Sequence, residues 1–86
     1  MKEFTYTITD EAGIHARPAG LLVKEAEKLK AEIEITAPSG KKADAKRLFP
    51  LMSLGVVKGD TITVLIIGKD EAEAEAALKT FLKSNL

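Results

Sequence analysis

The 86-residue chain has no cysteine and only one histidine. The missing thiols exclude disulfides and thiolate metal sites. One imidazole cannot build a transition-metal site without several carboxylates. None cluster near it in sequence, so no metal is expected. Net charge is missing too, because 13 basic side chains cancel 13 acidic ones. Bulk charge therefore offers no hold on nucleic acid or on an anionic membrane, and any electrostatic recognition must be local. No apolar run approaches transmembrane length. The opening Met1-Lys2-Glu3-Phe4-Thr5 alternates and carries an early acid, without the apolar stretch of a signal peptide. A soluble cytoplasmic protein is the expectation. Gly40-Lys41-Lys42 lacks the upstream glycine of a phosphate-binding P-loop and reads as a hairpin turn. No cofactor is expected.

What is present reads as one domain over residues 1–86. A chain this short buries only roughly 60% of its unfolded surface and has room for one modest core. Hydrophobic residues at 45% and charged residues at 30% suit a globular protein. Phe4, Tyr6 and Ile8 alternate with threonines, predicting a half-buried strand. Ala19, Leu22, Val23, Ala26 and Leu29 recur at helical spacing and predict a helix over about 16–30. Ala31, Ile33, Ile35 and Ala37 alternate again, and Pro38-Ser39-Gly40-Lys41 is a turn into a short strand at 42–45. Residues 46–54 predict a short helix stopped by Gly55, with Pro50 limiting how it is placed. Thr61–Ile67 is the strongest strand, with Ile62, Val64 and Ile66 toward the helices and Leu65 and Ile67 away from them. Asp70 and Glu73 have capping-box spacing before a closing helix. The order βαββαβα predicts an α+β fold, a four-stranded antiparallel sheet covered on one face by three helices. The crossover rule lets the first two strands lie parallel with the fourth between them.

The lone histidine lies in Gly13-Ile14-His15-Ala16-Arg17-Pro18-Ala19-Gly20, at the predicted start of the first helix. A helix start offers unpaired N–H groups and the positive end of the dipole, which suit a phosphate. The backbone of Ala16 and Arg17 is the candidate phosphate cradle, and the Arg17 guanidinium can add charge-assisted hydrogen bonds. An imidazole, with an ordinary pKa of about 6.5, is a good phosphoryl acceptor near neutral pH. His15 and Arg17 are thus the candidate catalytic pair. With no nucleotide motif in the chain, a phosphoryl donor must be another protein.

Taken with the element order, these motifs resemble HPr, the histidine-containing phosphocarrier family of the bacterial phosphoenolpyruvate-dependent sugar phosphotransferase system. The resemblance runs nearly end to end. It rests on Gly13–Ala19, on Leu51-Met52-Ser53-Leu54-Gly55-Val56, and on the turn, strand, Gly68 and helix ending. It implies an open-faced β-sandwich. It also implies that His15, through Nδ1, takes a phosphoryl group from phosphorylated enzyme I and hands it to EIIA domains of sugar permeases. Such a protein is a stoichiometric carrier rather than a stand-alone catalyst. Arg17 matches the family's active-site arginine. The resemblance places Arg47, Leu48, Phe49 and Leu51 on the partner-docking helix, although helical spacing also allows Leu51 in the core.

The chain departs from the family pattern at three positions. Arg47 stands where many Gram-positive relatives carry a regulatory serine, so serine phosphorylation there is impossible. Pro50 stiffens the docking helix, and Gly20 replaces a larger residue. The second reading is an HPr-like regulatory docking module in a non-transport branch, without serine control. The chain is expected to be mostly monomeric, with weak self-association through Leu65 and Ile67 as the further expectation for the open sheet face.

Overall fold

The structure is a computed structural model that describes all residues 1–86. Its elements are β1 (Lys2–Thr7), α1 (Ala16–Glu27), β2 (Glu32–Thr36), β3 (Lys42–Asp44), α2 (Leu48–Met52), β4 (Thr61–Ile67) and α3 (Glu71–Asn85). The four strands form one sheet in the order β1-β4-β2-β3, with every neighbouring pair antiparallel. β4 sits between β1 and β2, the place the crossover rule left open for it.

Period-two alternation decides which face is covered. Along β4, Ile62, Val64 and Ile66 are fully buried while Thr61, Thr63, Leu65 and Ile67 face away. The register sets Val64 beside Phe4 and Ile35, so apolar side chains from three strands share one face. The helices close over it with Ala19, Leu22 and Ala26 from α1, Leu51 from α2, and Ala74, Leu78 and Leu82 from α3. No polar or charged residue is buried. On the open face, Glu3 and Glu34 flank Leu65, and Glu32 flanks Ile67.

Several local boundaries differ from the sequence expectation. α1 ends at Glu27 because its last turn tightens, with Lys28 N–H donating to Glu25 and Leu29 N–H to Ala26. Lys46 Nζ then donates to the freed Leu29 carbonyl at 2.9 Å. α2 begins only at Leu48, because Asp44 holds the preceding chain in a turn. Its carboxylate accepts from Lys46 N–H and its carbonyl from Arg47 N–H. Pro50 thereby falls in the first helical turn, where a missing N–H leaves nothing unpaired. The α3 capping box does not form. Asp70 occupies the left-handed region at φ 57° and makes no side-chain cap. Glu71 serves instead, accepting from Gly68 N–H at 2.8 Å and pairing with the Met1 ammonium at 2.6 Å.

The Met1 ammonium and the Gly68 N–H hold the Glu71 carboxyl below its ordinary value of 4.5. A carboxyl depressed in the folded state stabilises the protein above its unfolded pKa. That stability is lost as the pH falls through the folded value. Glu71→Gln should therefore flatten the loss of stability between about pH 5 and pH 3. Urea unfolding at stepped pH reads this, and an unchanged acid slope would refute it. Gly20 lies inside α1 with nothing within 4 Å of where a Cβ would project. Gly20→Ala should stabilise the protein by about 0.5–1 kcal/mol, read by the urea midpoint at constant m.

Candidate functional site

The loop between β1 and α1 sets up the site. Asp10, Glu11, Ala12 and Gly13 form a turn closed by Gly13 N–H to the Asp10 carbonyl at 3.0 Å, with Asp first and Gly fourth as such turns prefer. Gly13 then takes φ +68° and presses its backbone on the α2–β4 loop. A Cβ there would meet the Val56 carbonyl oxygen and would lie 2.8 Å from Val57 Cα, so only glycine fits. Ile14 N–H crosses to the Val56 carbonyl at 3.1 Å, and the Ile14 side chain enters the core.

Thus anchored, His15 emerges exposed as the N-cap of α1, in extended conformation at φ −131°. Its side chain makes no capping hydrogen bond. Ala16 and Arg17 open the helix, and both are exposed. Pro18 has no N–H to offer, and Ala19 N–H is already committed to the His15 carbonyl at 2.8 Å. The helix start therefore presents two free donors, the N–H groups of Ala16 and Arg17, beside the ring. Arg17 is in no ion pair. A shallow hollow of about 390 Å³ gathers Asp10, Ala12, His15 and Arg17 with Ser84 and Asn85 from the end of α3. No three of the protein's His, Asp and Glu side chains are grouped closely enough to hold a metal ion. An open imidazole, two free amides and an unpaired guanidinium can together accept a phosphoryl group and hold its oxygens.

The profile of a family described as "PTS HPr component phosphorylation site" matches residues 2–84. The chain belongs to the HPr family. The phosphocarrier protein HPr of Mycoplasma genitalium is 48% identical over 85 residues, covering 99% of this chain and 97% of that relative. The crystal structure of HPr-C-His from Thermoanaerobacter tengcongensis superposes with a TM-score of 0.91 at 40% identity, covering 99% of this chain and 94% of that one. HPr from Bacillus anthracis gives a TM-score of 0.86 at 34% identity, covering 94% and 95%. The open-faced sandwich is shared with these HPr structures.

The residues expected to dock partners separate in the structure. Arg47 is the N-cap of α2, exposed and in no ion pair. Leu48 and Phe49 follow it at the surface, Phe49 at 76% exposure. Leu51 is fully buried and is a core residue, so it supports α2 from beneath and offers no exposed surface of its own. Residues two apart on a helix point to nearly opposite sides, so Leu51 turns inward where Phe49 faces out. Leu48, one turn before Leu51, lies at the edge of the buried face. Three exposed apolar residues were not singled out from the sequence, namely Leu21, Met52 and Val57. Leu21 lies one turn beyond Arg17 and borders the hollow, a spacing the sequence carries. Val57 lies beside Gly13 because its loop packs there, a contact that no local pattern announces.

Gly13→Ala should destabilise the protein by about 2 kcal/mol or more, from the left-handed backbone and the clash with the 56–57 backbone together. Urea unfolding measures it, and a loss below about 0.5 kcal/mol would mean that the close approach gives way freely.

Proposed function

We propose that the chain is a cytoplasmic phosphocarrier that takes a phosphoryl group on His15 from phosphorylated enzyme I and passes it to EIIA domains of sugar permeases. The observation that carries the reading is the exposed His15 ring beside two uncommitted backbone N–H groups and the free Arg17 guanidinium. A ring nitrogen lone pair, Nδ1 by family resemblance, attacks phosphorus as its bond to the donor atom of enzyme I breaks. The donor atom leaves with the electron pair of that bond and takes up the ring proton, and the product is a phosphoramidate. The Ala16 and Arg17 amides and the Arg17 side chain take up the phosphoryl oxygens, and the helix dipole adds roughly 0.3–1 kcal/mol. The phosphoramidate keeps a high transfer potential, so the same groups release it to the next imidazole.

Docking falls to Arg47, Leu48 and Phe49, where an exposed apolar pair beside a cation suits a transient interface with an acidic rim. Arg47 also removes the serine on which catabolite control acts in many Gram-positive relatives, which speaks against that regulatory mechanism, while the presence of His15 speaks against a docking module alone. The domain acts as a monomer. Two-fold pairing through Leu65 and Ile67 would bring the carboxylates of Glu32 and Glu34 near their own copies, so self-association is weak at most.

Incubation with enzyme I and phosphoenolpyruvate should load one acid-labile phosphate, absent from His15→Ala. No transfer from enzyme I of several sources would leave docking alone. Phe49→Ala should raise the apparent KM for enzyme I about tenfold and leave the maximal rate nearly unchanged, as loss of an exposed aromatic anchor predicts.

A further inference from the structure

We infer that Asp10 is a positioning residue that holds the loop leading to His15 in register with the α1 N-terminus, an inference that rests on the phosphocarrier reading above. Residue 12 is alanine, with no polar side chain to brace the loop. Asp10 braces it from behind. Its Oδ1 accepts from Ala12 N–H at 2.8 Å, and its carbonyl accepts from Gly13 N–H at 3.0 Å. Its own N–H donates to the Leu86 main-chain oxygen at 2.8 Å. The next amide, Ile14 N–H, is taken by Val56. Asp10 therefore receives two of the three amides from Ala12 to Ile14, while the two amides past His15 stay free.

This division of donors defines the site. If the side-chain acceptor is lost, the exposed Ala12 N–H falls back on solvent and the turn is closed by a single hydrogen bond. His15, three residues on, then drifts against the Ala16 and Arg17 amides. Phosphoryl transfer depends on such placement, and an error of about 1 Å can cost roughly a hundredfold in rate. The carboxylate also borders the hollow that contains His15 and Arg17. Its negative charge opposes the incoming phosphate, so the charge itself gives acceptance no help. What serves the reaction is the acceptor oxygen, and an amide supplies one equally well.

The test compares Asp10→Ala, Asp10→Asn and Asp10→Ser in phosphoryl acceptance from phosphorylated enzyme I, with urea unfolding of each. Asp10→Ala should lower the maximal rate about tenfold or more with KM for enzyme I little changed, because the docking helix is untouched. Asp10→Asn should match the parent or exceed it, and Asp10→Ser, with a weaker acceptor, should fall between. Amide hydrogen exchange at Ala12 should speed up in Asp10→Ala and stay slow in Asp10→Asn. Should Asp10→Ala fold poorly, the order of Asp10→Asn over Asp10→Ser decides. Normal rates in Asp10→Ala overturn the inference, as does an Asp10→Asn rate as low as that of Asp10→Ala, which would assign the effect to charge. A parent protein that takes no phosphate on His15 instead overturns the carrier reading itself, and this inference with it.

Discussion

One-sided burial along β4 is the constraint on which the molecule depends. Its three inward residues, Ile62, Val64 and Ile66, are fully buried, and the strand is paired on both edges. A sheet that is apolar on one face only must gather every helix on that face. With all three helices on one side, their ends and connecting loops meet around the rim of the sheet. The start of α1, the α2–β4 loop and the end of α3 come together there. The site is thus a product of how the core is closed, although none of its reactive groups lies within the core.

The chemistry at that rim needs few parts. The proposed nucleophile, His15, is exposed and free of capping bonds, so its ring is open to solvent. Rigidity comes from behind it, through the Asp10 turn and the contact of Gly13 and Ile14 with Val56. The same contact joins the His15 loop to the segment that follows α2, so the proposed docking helix and His15 share one support. A carrier of the proposed kind, which meets two partners in turn, gains from this arrangement. The surface stays open for either partner while the anion cradle keeps its shape between encounters.

Much of this was legible in the chain. Alternation in residues 31–37 and 61–67 and helical spacing from Ala19 to Leu29 express the two periodicities on which strand and helix rest. His15 and Arg17 were legible because a helix start, an imidazole and a guanidinium occupy fixed neighbouring positions. The departures share a physical cause. Leu51 reads equally as core or contact until packing turns α2. The late start of α2 follows from Asp44 binding its own neighbours. At α3, Asp70 turns left-handed because Glu71 reaches Gly68 and Met1, an option visible only once β1 and α3 are adjacent.

The sequence by itself determined the element order, the buried face of each strand and the choice of His15 and Arg17 as the candidate pair. All of these follow from spacings of a few residues within one segment. Only the tertiary structure decided what stands behind His15. Asp10, Gly13, Val56 and the end of α3 are distant in sequence or silent in pattern. They come together because the helices have a single face to cover, and a contact between loops leaves no periodic trace in either loop.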